Sequence, residues 1–215
     1  MSALSIQKKI DVAHKKIGKK IGFGYGLYRP LSNIDVLDDA NLIADNVKST
    51  FTINNEYMKA FDWQIPIWTC YTDATQAQAG DFLYSEEQSR TFFIFARLAH
   101  QPIMAMEVND RIDLKIVGYG DDGSGFGPDT TTYFARNLPC YLSYGAQQMS
   151  GGIPARTNAS AGARTATIIT TVPRTAVLMG SSVVVPDGFQ GDVISYDYSS
   201  VGAALRFTAQ EFSVK

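Results

Sequence analysis

Polar and apolar positions along the first twenty residues repeat with the period of a helix. In ALSIQKKIDVAHKKIGKKIGF, Ile6, Ile10, Ala13, Ile17 and Ile21 fall at spacings of four, three, four and four, which sets them on one helix face. Ser5 is the expected N-cap, and the Lys pairs at 8–9, 15–16 and 19–20 decorate the other face and the last turns, where they suit the helix dipole. Gly22 and the GFGYG run are expected to end the helix. A helix this short has little stability alone in water, so its Ile stripe needs a surface, either its own body or a neighbouring subunit. The candidate interaction residues are therefore Ile6, Ile10, Ile17 and Ile21, with Lys16 and Lys20 beside them and Tyr28 and Arg29 in the LYRP segment that follows.

Beyond LYRPLSN, whose proline pushes the chain into extended structure and a turn, the period drops to two. Aromatic and β-branched residues predict strands at 49–54, 63–73, 81–85, 90–100, 102–110 and 111–120, then at 137–145, 167–173, 175–180, 181–186, 192–198 and 203–212. GYGDDGSGFGPDT (118–130) reads as a Gly-rich loop, PDGFQG (186–191) as a turn, and the small-residue tract 147–166 as a flexible arm. Many short strands with regular turns predict a mainly β fold, an antiparallel barrel or sandwich carrying an N-terminal amphipathic helix. The expected division is a docking helix with its Gly-rich turn over 1–26 and a β-rich body over 27–215. One pattern occurs twice: GDFLYSEEQSRTFFIFARLAH and GDVISYDYSSVGAALRF share Gly-Asp, a short apolar strand, a polar tip and an aromatic return strand. This predicts a repeated structural hairpin, with Gly80-Asp81 and Gly191-Asp192 marking the turns into it.

Composition supports a folded chain: 45% of residues are apolar and 19% charged, with eleven Tyr and twelve Phe. Charge is unevenly spread. Residues 1–22 hold six Lys against one Asp, so of the 19 Lys and Arg and 21 Asp and Glu, thirteen cations and twenty anions remain for a body near −7. The N-terminal Lys-Ile alternation lacks the apolar core of a signal peptide, and no segment reads as a membrane span. Cys70 and Cys140 are expected to be reduced and buried.

Candidate chemistry is thin. The two histidines, His14 and His100, sit beside no Ser or Cys elbow, and with the two cysteines they lack the close spacing of a zinc site. Neither GFGYG nor GYGDDGSGFG matches a Walker loop or a dinucleotide fingerprint. Asp121, Asp122 and Asp129 miss the calcium-loop spacing, and Glu86-Glu87 reads as an exposed hairpin tip. No catalysis and no cofactor is expected. The Lys-rich helix lacks the Arg and aromatic interleaving of base readers, leaving nonspecific proximity to DNA at most.

Three stretches carry a family resemblance. SIQKKIDVAHKKIGKKIG with LYRP, TFFIFARLAHQPIMAMEVNDRIDLKIV, and VVVPDGFQGDVISYDYSSVGAALRFTAQEF together are similar to the neck or collar proteins at the head-to-tail junction of contractile-tailed bacteriophages. The chain departs from that pattern after Gln-Pro, where IMAMEVN replaces a Pro-containing apolar run with a Cys. The resemblance implies a non-enzymatic virion component, a homo-oligomeric ring contacting other neck proteins of portal, adaptor or tail-terminator type. The alternative is a small carbohydrate-binding β-sandwich using Trp63, Trp68 and Tyr71. The five-residue offset of the two tryptophans puts them on opposite faces of a regular strand, which disfavours one flat platform.

Overall fold

A computed structural model describes residues 3–30, 35–53, 66–73, 75–98, 101–119, 129–144, 164–171, 181–198 and 203–211. Among these residues the chain is mainly β, with one N-terminal α-helix, α1 (Ala3–Ile21), a short 3-10 turn at Asp39–Asn41, and two closed antiparallel six-stranded barrels. The first barrel holds β1 (Phe23–Tyr28), β2 (Leu42–Ile53), β3 (Ile67–Tyr71), β4 (Phe82–Ser85), β5 (Arg90–Ala96) and β6 (Ile103–Val108), ordered β1-β2-β3-β6-β5-β4. The second holds β7 (Asp110–Tyr119), β8 (Asp129–Tyr144), β9 (Thr165–Thr170), β10 (Ser182–Val184), β11 (Gln190–Tyr198) and β12 (Leu205–Glu211), ordered β10-β11-β12-β9-β8-β7. Both follow one plan: three strands in sequence, then three more returning so that the sixth pairs with the third and the fourth with the first. Closure leaves the sheets no long free edge to manage.

Both stretches do form antiparallel hairpins, β4–β5 and β11–β12, as expected, but the two hairpins are not equivalent parts of the two barrels. Under the shared plan, β4–β5 corresponds to β10–β11, whereas the echo in the sequence links β4–β5 with β11–β12. The two Gly-Asp pairs also do different work. Gly80 (φ +99°) lies in the turn before β4, but Gly191 lies inside β11, where a Cβ would meet the Gln210 carbonyl oxygen at 2.2 Å. Gly191-Asp192 thus marks close strand packing and no turn.

Several boundaries move for physical reasons. The helix begins at Ala3, so Ser5 lies within its first turns, and the GFGYG run, expected only as a helix stop, continues as β1. β8 starts at Asp129, well before the expected 137, because its Thr-rich beginning extends the hairpin with β7 through pairs such as Val117↔Thr131. Asn137, with φ 53°, sits at a register shift in the same ladder, where the long strand bends. Thr165 and Ala166, assigned to the arm, open β9. Residues 145–163, the 175–180 strand, Trp63 and His100 lie outside the described residues.

Alternation along the strands builds two cores. Tyr25, Leu27, Val47, Cys70, Leu83, Phe92, Ile94, Ile103 and Ala105 come from all six strands of the first barrel and fill its interior. The opposite faces of β4, β5 and β6 present Phe82, Phe93, Phe95, Met104 and Met106 to the second barrel, in one cluster with its interior residues Ile112, Leu114, Leu138, Ile168 and Phe207. β5 is buried on both faces, which is why TFFIFA is a continuous apolar run rather than an alternating one. Asn109 is the single residue between β6 and β7, and its side chain clasps β8. Its Oδ1 accepts from the Leu142 N–H at 2.7 Å, and its Nδ2 donates to the Leu142 carbonyl at 2.9 Å.

Candidate interaction surface

α1 lies across β2 and β3. Glycine permits the close approach: a Cβ on Gly18 would meet the Lys48 and Tyr71 carbonyl oxygens at 2.6 and 2.7 Å. The same face is pinned by His14, whose ring meets Tyr71 edge-on at 5.1 Å, by a Lys15–Asp73 ion pair, and by Arg97 with Asp11 at 3.6 Å. The surface beneath the helix is thus taken by residues 11, 14, 15 and 18.

The Ile stripe sits one step further round, about 100° on a helical wheel, and mostly faces outward. Ile6 is 41% exposed, Ile17 37% and Ile21 60%, while Ile10 is half-buried. Phe23, just past the helix end, is also exposed, at 50%, and Lys16 and Lys20 stand exposed beside the stripe. Of the two surfaces the sequence left open, the helix reaches its own body through the glycine face and leaves most of the isoleucine face uncovered within one chain.

Tyr28 and Arg29, at the end of β1, belong to a different place. Tyr28 is half-buried, 6.4 Å from the Tyr84 ring. Arg29 grips Asp81 in a fork, Nε to Oδ1 at 2.7 Å and Nη2 to Oδ2 at 2.8 Å, and also donates to the Gln76 carbonyl at 3.0 Å. Asp81 is fully buried and accepts a further bond from the Gln78 N–H at 2.7 Å. The hydrogen bond to Asp81 holds the guanidinium above its ordinary pKa. Arg29 is therefore engaged within its own chain, tying β1 to the loop before β4, a pairing of residues 52 apart that no local pattern reveals.

A cleft of about 390 Å³ opens between the barrels, lined among others by Tyr84, Thr91, Val108, Glu86, Arg111 and Pro186. Tyr84, Thr91 and Val108 stand side by side on β4, β5 and β6 and form its floor. The Arg111 guanidinium lies 5.7 Å from the Tyr84 ring centre and donates to Asn137 Oδ1 at 3.2 Å. Glu86 and Glu87 are exposed on the β4–β5 turn at its rim, as the hairpin-tip reading expects.

Among the described residues no group of three or more His, Cys, Asp and Glu is placed to hold a metal. Both cysteines are free and buried, and burial pushes each thiol well up from its ordinary pKa. Trp68 forms no flat platform: it meets the Phe92 ring edge-on at 5.8 Å beneath the Arg90 guanidinium, and its indole N–H is buried with no hydrogen-bond partner. Tyr71 is occupied by His14.

The helix seat should respond to pH through His14. Burial lowers its pKa below 6.5, only partly offset by Asp11. As pH falls below 6.5, the unfolded chain takes the proton first, so stability declines until the folded-state pKa is passed. Asp73 acts lower down: burial alone would raise it, but bonds from Lys15 and Thr75 hold it below 3.8, so its contribution is lost only in stronger acid. His14→Gln should flatten the fall in thermal stability between about pH 7 and pH 5. An unchanged slope would remove His14 from the account. Set against known proteins, the chain matches no family model, no curated protein and no solved structure.

Proposed function

We propose that this chain is a structural subunit of the virion neck or collar at the head-to-tail junction of a contractile-tailed bacteriophage, forming a homo-oligomeric ring without enzymatic activity. The supporting observation is the uncovered apolar face of α1. A helix already seated on its body through Gly18 still presents Ile6, Ile17 and Ile21, with Phe23 close by, to solvent. An apolar strip of this kind on a folded surface marks an interaction site. Two closed barrels behind it supply a folded body for a ring subunit, and the resemblance of the N-terminal, middle and C-terminal stretches to neck proteins supplies the setting. The partners are other copies of the chain and adjacent neck proteins of portal, adaptor or tail-terminator type. A body carrying a net charge near −7 suits passage of DNA past the assembly rather than retention of it. The carbohydrate-binding alternative draws no support from the placement of Trp68 and Tyr71.

The test is the double variant Ile17→Asp, Ile21→Asp. Both side chains are exposed, so the monomer should keep its fold by circular dichroism. Each residue lost from an apolar interface costs about 1.5 kcal/mol, so self-association should weaken by about a hundredfold in sedimentation experiments. Assembly indistinguishable from the wild type would remove α1 as the docking element.

A further inference from the structure

The apolar face of α1 needs a receiving surface, and the arrangement of the first barrel points to one. Going round β1-β2-β3-β6-β5-β4, β5 lies three places from β2 and β4 three places from β3. α1 rests on β2 and β3, while Tyr84 on β4 and Thr91 on β5 floor the cleft between the barrels. Helix and cleft therefore sit on opposite sides of the barrel and cannot meet within one chain. We propose that α1 of one copy docks into the interbarrel cleft of the next, an inference that rests on the homo-oligomer reading above.

Chemistry matches the two surfaces. Six Lys against one Asp make the N-terminal segment basic, and Lys16 and Lys20 are exposed beside the apolar face. The cleft is rimmed by Glu86 and Asp110, with Glu87 exposed on the same turn. Among the described residues the one lining cation, Arg111, is already turned toward Tyr84 and Asn137. Tyr84, Val108 and Pro186 give isoleucine side chains apolar surface, and the volume of about 390 Å³ admits two or three of them. Because donor and acceptor are different patches, the contact is heterologous. Each copy offers one helix and one cleft, so the chain of contacts runs head to tail and ends only by closing into a ring. Charge complementarity adds specificity and a faster encounter to the apolar contact.

Two full-length variants test it together. One carries Ile17→Asp and Ile21→Asp and keeps its cleft; the other carries Glu86→Lys and Glu87→Lys, both on an exposed turn, and keeps its helix. Each alone should associate at least about tenfold more weakly than the wild type in sedimentation velocity. Mixed in equal amounts they should form a one-to-one dimer and nothing larger, since only one helix and one cleft remain competent. If the Glu86→Lys, Glu87→Lys variant assembles as the wild type does, or the mixture forms no dimer, the cleft is not the receiver, although a homo-oligomer would stand. A wild type that is monomeric would overturn the homo-oligomer reading first and this inference with it. A Lys16→Glu, Lys20→Glu variant that assembles normally but loses binding to duplex DNA would assign the helix to a polyanion and overturn the proposal.

Discussion

Arg29→Met is expected to lower stability by about 3–5 kcal/mol, as other changes that strand a buried charge do. Asp81 is fully buried and relies on the Arg29 fork at 2.7 and 2.8 Å, with the Gln78 N–H as the one further partner of its carboxylate among the described residues. Among the described residues, removing the cation leaves the carboxylate with one bond and no ion-pair partner. Asp81→Ala should be milder, about 3 kcal/mol, because Arg29 keeps 23% exposure and can turn toward water. For a chain of this length these losses lower the unfolding temperature by about 10 °C. The double variant Arg29→Met, Asp81→Leu should recover much of the loss, since an apolar pair of similar volume often replaces a buried ion pair at little cost. A double-mutant cycle in chemical denaturation measures the coupling. If the double variant is as unstable as the sum of the singles, the fork is not the energetic unit described.

The second large effect is at Phe93. Its side chain is fully buried and packs 5.7 Å from Phe82 and 6.5 Å from Phe95, in the cluster that continues into the second barrel. Phe93→Ala is expected to cost about 3–5 kcal/mol through lost transfer energy and the cavity left behind. Its neighbour Phe92 points the other way, stacked on Phe51 at 3.6 Å within the first barrel, and Phe92→Ala should cost a similar amount. The two differ in what they unfasten. Because Phe93 joins the barrels, its loss should weaken coupling between them, separating the thermal transition into two in calorimetry, while Phe92→Ala should keep one transition at lower temperature. A single transition in both variants would show that the shared cluster does not depend on Phe93.

Much of this architecture is legible in local pattern. The helix period of residues 6–21, the β-branched and aromatic strands, and the turn at Glu86-Glu87 all follow from spacing and side-chain shape. What local pattern does not carry is pairing at long range. That the strands form two barrels of one plan depends on β6 meeting β3 and β12 meeting β9, contacts set by packing rather than by any motif. The doubly buried β5 was legible as a continuous apolar run, but not which neighbour covers each face.

The interaction surface divides the same way. The isoleucine stripe was legible, yet its outward orientation depends on Gly18, whose missing side chain lets the adjacent face settle on Lys48 and Tyr71. Arg29, equally plausible as a contact residue in sequence, is drawn inward by Asp81 from 52 residues away. The cleft has no linear signature, since its floor and rim come from β4, β5, β6, β7 and two turns.

The central claim is that this chain builds a ring from copies of itself, and native mass spectrometry of the full-length protein tests it most directly. The account predicts one dominant closed species, at a fixed integer multiple of the 23.5 kDa subunit, with few open intermediates. A protein that stays at 23.5 kDa across the accessible concentration range would contradict it.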